Sequence, residues 1–261
     1  MLHHTRFTAL DPEAEAVLPS VALTTPQVLA GEFLTRPQAA TVLRLSPNTV
    51  GKLLASGFLP DLAAARVHAL ARAPQISVTR GELPVLRTGP AGPPPHEDDD
   101  REFIGDAPHL TDEQFLEASR QWWRCEPDKV VAAGVLAVAV AGWVTGVLAV
   151  RGRGGTRHGG RDVRHSFEAS VAGRVTALDH PDSSRVLTGD PALAALTRTL
   201  LGARVQEARS GGPIAYLKAP PQPPRPAQSS QPPQPPHPRD EKAPVHPHGE
   251  KASLHPHGET A

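Results

Sequence analysis

The segment Val130–Val150 constrains this chain more than any other, because it runs for 21 residues without a charge. That length is enough to cross a bilayer as a helix. Lys129 and Arg151 flank it, and Gly142 and Gly146 have the spacing of a helix-packing motif. Its composition argues otherwise: 8 valines, 6 alanines and 3 glycines stand beside only 2 leucines. Alanine and glycine add little to membrane insertion. Val135–Val140 alternates larger and smaller residues, and Gly142-Trp143 interrupts the run before Val144–Val150. Two buried β-strands joined by a tight turn fit this pattern better than a membrane helix. Further on, Val163, His165, Phe167, Ala169 and Val171 repeat with the period of a half-buried strand, which also points to a sheet.

The rest of the composition sets the class. The chain has 261 residues, 39% apolar and only 4% aromatic, with 30 prolines and 22 glycines, so part of it lacks the means to build a core. One cysteine forms no intramolecular disulfide and no thiolate zinc site, which suits a reducing cytoplasm. The first residues carry no apolar stretch behind a basic end, so no secretory signal is expected and the chain is assigned to the cytoplasm. Basic and acidic residues balance at 27 each, yet they are segregated. Residues 31–90 hold seven basic side chains against three acidic, and 91–130 hold four against eleven, with Asp98-Asp99-Asp100 at the centre. Residues 151–175 return to six against two. A basic first block suits a polyanionic partner, and the acidic run reads as a solvated linker.

These shifts predict an α+β chain in five parts: a loosely ordered lead-in over 1–30, a helical unit over 31–88 and an acidic Pro/Gly-rich linker over 89–107. A small α+β domain over 108–218 and a disordered Pro/Gln/His-rich tail over 219–261 complete the division. In the first unit, Thr35-Arg36-Pro37-Gln38 has the form of a capping box, followed by Ala39, Val42 and Leu43 at helical spacing. Ser46 then caps a second helix with Pro47 at its first position. Val50, Leu53 and Leu54 form its buried face, and Gly57 closes it. Two short capped helices about three residues apart make a helix-turn-helix.

The 28 residues Phe33–Pro60 resemble the helix-turn-helix of the excisionase/MerR-type DNA-binding family. The likeness rests on Leu34-Thr35, Ala39-Ala40, Leu43, Leu45-Ser46, Thr49-Val50, Leu53-Leu54 and Gly57-Phe58-Leu59-Pro60. It implies that the second helix enters the major groove of double-stranded DNA, with Ser46, Pro47, Asn48, Thr49 and Lys52 at the interface. The side chains agree with that role. Asn48 offers the donor–acceptor pair that reads adenine, Thr49 meets a base edge or a thymine methyl, and Lys52 reaches guanine or phosphate. Arg36 and Arg44 sit where the first helix and the turn pass the phosphates. The family continues into a basic β-wing, whereas here Asp61–Arg72 reads as a third helix with Leu62, Ala65 and Leu70 inward. A strand pair, Gln75–Thr79 and Leu83–Arg87 around a turn at Arg80-Gly81, comes later and can serve as the wing, with Arg80 and Arg87 toward phosphate.

Within 108–218, Thr111–Gln114 caps a helix carrying Phe115, Ser119 and Trp122. Asp190-Pro191 caps another with Leu193, Leu196 and Leu200, and Gly212–Leu217 reads as a last strand. The order of these elements is loosely similar to PUA/EVE-type modules of nucleic-acid-handling proteins. This part is assigned to homo-oligomer, effector or protein contacts. The Gly/Arg-rich stretch 151–161 lacks the Gly-Lys-Ser/Thr of a phosphate-binding loop and reads as a flexible basic hairpin loop, or as a non-specific nucleic-acid contact. Cys125 has Arg124 beside it but no positioned base, so no catalytic set and no cofactor are predicted. The repeated His-Pro-His-Gly-Glu of the tail offers four imidazoles, a weak basis for metal binding. The leading expectation is a sequence-specific DNA-binding protein for transcription or recombination control. The competing ones are a protein-binding adaptor and a membrane-anchored regulator using Val130–Val150.

Overall fold

A computed structural model of the chain describes residues 20–24, 33–94, 99–159, 162–205 and 212–219. The order is β1 (Ser20–Thr24), α1 (Arg36–Leu43), α2 (Pro47–Ser56), α3 (Ala64–Ala71), β2 (Gln75–Arg80) and β3 (Glu82–Thr88). Then come α4 (Asp112–Arg120), α5 (Pro127–Ala133), β4 (Val135–Val140), β5 (Trp143–Gly159) and β6 (Asp162–Val175). The last elements are β7 (Ser184–Val186), α6 (Pro191–Leu200), β8 (Arg204–Val205) and β9 (Ile214–Lys218). The fold is mixed α+β.

The helix ends form as the side chains dictate. The Thr35 hydroxyl accepts from the Gln38 amide while the Gln38 side chain accepts from the Thr35 amide at 2.8 Å. Ser46 accepts from the Thr49 amide at 3.1 Å, Thr111 from Gln114 at 3.2 Å, and Asp190 from Leu193 at 2.8 Å. In α3, Val67 and Leu70 are buried but Ala65 is exposed, because the helix begins only at Ala64 and turns that position outward.

The uncharged run Val130–Val150 is shared among the end of α5, all of β4 and the first half of β5. β4 and β5 pair antiparallel from Val135–Ala149 to Val140–Trp143. Every residue of β4 is buried. Val135, Ala137 and Ala139 face one apolar cluster, while Leu136 and Val138 face the other. A strand covered on both faces needs no polar positions, which explains a run that mimics a membrane span. Among the described residues no helix is long and apolar enough to cross a membrane. The membrane-anchor reading of this run is therefore replaced by a buried strand pair.

The strand order is β1-β2-β8-β5-β4-β3-β9, with β6 on β5 and β7 on β6. β2 and β3 do not pair with each other, contrary to the expected hairpin and wing. A single residue, Gly81 at φ 75°, separates them. A tight reversal needs two central residues, so the chain bends instead of turning back. The pairing path leaves β2 through β8, β5 and β4 and returns on β3, so it closes on the bend that joins β2 to β3 in the chain.

This closure joins what the sequence divides. β3 runs parallel to β4, with Val85 opposite Ala137 and Thr88 opposite Val140. One apolar cluster takes Leu43, Val50 and Leu53 from α1 and α2 together with Val135, Trp143, Leu196 and Leu200. The described residues from Ser20 to Ala219 accordingly form one compact unit, in which those of 31–88 and 108–218 share a core. Within the lead-in, Ser20–Thr24 is not loose but forms β1 on β2. The tail from residue 220 on lies outside the described residues.

Nor is the acidic segment a free linker. Gly92 and Ile104 exchange backbone hydrogen bonds, and the Asp106 amide donates to the Gly89 carbonyl. Asp106 is fully buried and accepts from Arg174 at 2.9 Å and from the Thr145 hydroxyl at 2.7 Å. Arg174 also donates to the carbonyls of Leu110 and Ala107 and lies over the Phe115 ring. Burial pushes the Asp106 carboxyl up to about 6, although Arg174 and Thr145 pull against that. Asp99 holds buried Arg101 at 2.6 Å, and that hydrogen bond keeps the Asp99 carboxyl below its ordinary value. Asp98 lies outside the described residues.

Candidate nucleic-acid interface

α1 and α2 are linked by Arg44, Leu45 and Ser46. Arg44 adopts the left-handed conformation at φ 53°, and its amide donates to the Thr41 carbonyl, which ends α1 sharply. Ser46 is spent on its cap: its hydroxyl accepts from the Thr49 amide and lies 2.9 Å from the Thr49 hydroxyl. Pro47 and Asn48 are exposed on the first turn of α2, and Lys52 is exposed one turn later. Arg36 crosses onto α2, its Nη1 3.6 Å from where a Cβ on Gly51 would lie, an ordinary contact distance. The opposite face of α2, Val50 and Leu53, is buried in the core.

Beside α2 lies a groove of about 1130 Å³ between the helix and the sheet. Arg44, Thr49 and Lys52 line it on the helix side, and Arg87, Arg204, Ala141 and Gly142 are among its residues on the sheet side. Among the described residues its lining contains four basic side chains and no acidic one. Arg204 stacks over the Trp143 ring at 5.0 Å and donates to the Arg44 carbonyl at 3.4 Å, tying the turn of the helix pair to β8. Arg87 donates to the Gly212 carbonyl. Thr49 is half-buried against this groove, so it faces the channel wall and not the outer surface that carries Asn48.

The structure thus gathers Arg36, Arg44, Ser46, Pro47, Asn48, Thr49 and Lys52 on and around α2. Arg80 is exposed at the end of β2 and does not line the groove, because β2 and β3 form no wing that would carry it there. Arg87 reaches the groove by a different route, from the end of β3. Sequence reasoning missed Arg204, whose position follows only from the pairing of the two-residue β8 with β2 and β5.

Elsewhere the chemistry is plain. Burial raises the Cys125 thiol to about 11, and Glu126 adds to that, so neighbouring Arg124 does not activate it. Arg124 pairs instead with Asp162 at 3.2 Å. Among the described residues no three His, Cys, Asp or Glu side chains converge as metal ligands, and the four tail histidines lie outside those residues. Comparison with protein-family models, with curated proteins and with solved structures finds no match.

Proposed function

We propose that this chain binds double-stranded DNA with sequence preference, acting as a cytoplasmic regulator of transcription or recombination. The observation that carries the reading is α2. Its N-terminal turn is capped and presents Asn48 to solvent, with Lys52 one turn on and Arg44 at the turn before it. A helix entering the major groove contacts base edges with its first residues, and its flanks meet phosphate. Asn48 is the base-reading residue and pairs with adenine through its amide. Lys52, Arg36 and Arg44 serve as phosphate contacts. Thr49 supports the cap, since its backbone and hydroxyl are both engaged with Ser46.

Selection from a random duplex pool with the full chain tests this. Asn48→Ala is expected to change the preferred base at one position, at a cost of about 1–3 kcal/mol there. Arg44→Ala is expected to weaken every sequence alike. A selected-site profile identical for wild type and Asn48→Ala would remove the base-reading role.

A further inference from the structure

Beyond Val150, β5 pairs only with β6, so the two strands continue as a two-stranded ribbon rooted in the core at Phe167. The sequence predicts a flexible loop for 151–161, but pairing persists from Gly152–Glu168 to Gly159–Asp162. The ribbon is also braced. Trp122, held at φ 66°, backs it so closely that a Cβ on Gly155 would lie 3.3 Å from the indole. A Cβ on Gly154 would lie 2.6 Å from the Ser166 hydroxyl. Trp123 and His165 exchange two backbone hydrogen bonds at 3.0 and 2.9 Å. Gly154 and Gly155 therefore serve close packing against Ser166 and Trp122.

Its charge is lopsided. The described part carries Arg151, Arg153, Arg157 and Arg164 against Asp162 and Glu168. Arg157 and Arg164 are direct cross-strand partners, an arrangement of like charges that costs stability in a sheet. Arg157 is relieved by Asp100 at 2.8 Å and by the Trp122 ring at 3.7 Å, and Arg153 pairs with Asp128. Arg151 and Arg164 pair with no acid among the described residues. Trp123, which anchors the ribbon through His165, also lines the groove beside α2, so the two basic features share a wall.

We propose that this ribbon is a second DNA contact, in which Arg151 and Arg164 bind phosphates of the same duplex without reading sequence. The proposal rests on the duplex-binding reading above and extends it to a surface far along the chain from α2. A two-stranded ribbon has the width that a major groove admits, and unpaired guanidinium groups are the complement of a phosphate row.

Fluorescence anisotropy on the full chain tests it, using a 30-base-pair random-sequence duplex and a pool-selected duplex across a potassium chloride series. Each phosphate contact contributes about 0.9 to the slope of log affinity on log salt. Arg151→Gln/Arg164→Gln is expected to flatten the slope by about 1.8 on both duplexes, leaving sequence preference intact. Arg151→Lys/Arg164→Lys keeps both charges and is expected to restore the slope, which separates lost contacts from lost folding. An unchanged slope in the glutamine variant overturns the ribbon while leaving the α2 reading intact. So does a loss confined to the selected duplex. If Asn48→Ala leaves the selected profile untouched while the glutamine variant flattens the slope, the ribbon stands and the base-reading role falls. A wild-type chain that binds neither duplex at low salt overturns both.

Discussion

Asp106 and Arg174 are the charged pair on which the segment after β3 is fastened to the sheet. Their side chains are 0% and 2% exposed, so each has given up water for the other. Removing one partner of such a pair strands a buried charge and costs about 3–5 kcal/mol. Arg174→Met, which leaves the Asp106 carboxylate buried without its cation, is expected to lower the urea midpoint at pH 7. The carboxyl also leaves a signature in pH. Its value rises from 3.8 to about 6, so between those limits the folded chain holds the proton more firmly than the unfolded chain does. Its contribution to stability is complete below 3.8 and declines as pH climbs through 6. Over that window wild type is expected to lose stability relative to Asp106→Asn as pH rises, read from paired urea titrations. Cys125 gives a simpler test. With its thiol raised to about 11, alkylation by iodoacetamide at pH 7.5 is expected to be slow in the native chain and fast in urea.

At the scale of elements, the short-range devices carry the tests. Ser46→Ala removes the cap of α2 and is expected to cost about 1 kcal/mol in chemical denaturation, with weaker DNA binding alongside. Gly146 sits where β5 passes under α4, and a Cβ there would lie 2.3 Å from the Phe115 ring. Gly146→Ala is expected to overpack that contact by about 1–3 kcal/mol. The elements legible in the sequence are those whose cause is local. Thr35, Ser46, Thr111 and Asp190 act within three residues of themselves, and the β4–β5 pair turns on Ala141-Gly142. The hairpin expected at Arg80-Gly81 fails because each strand's true partners are remote, β8 and β1 for one and β4 and β9 for the other. The period-two pattern of β6 is also imperfect: Val163 is exposed and Ser166 buried, since bulges between Val150 and Thr156 shift the register. For the site, Asn48 and Lys52 were legible because a cap and a helical period fix the face they occupy. Arg204 and the unpaired arginines of the ribbon depend on long-range pairing, which no local pattern announces.

For the whole molecule, the decisive feature is that α1, α2 and α3 pack on a core completed by distant strands. Leu43, Val50 and Leu53 share one cluster with Val135, Leu196 and Leu200. A fragment of residues 25–92 keeps the three helices but loses β4, β8 and β9. It is expected to show no cooperative unfolding transition by circular dichroism and to bind DNA only weakly. The path that starts on β2 and finishes on β3 has a temporal consequence as well. Residue 83 meets its β-partner at 217, and residue 76 meets one at 205. A nascent chain on the ribosome therefore carries α2 long before its floor has been translated. Contacts of such separation form slowly. Only a polypeptide synthesised through its ninth strand has the complete support beneath α2, so truncated products lack it by topology alone.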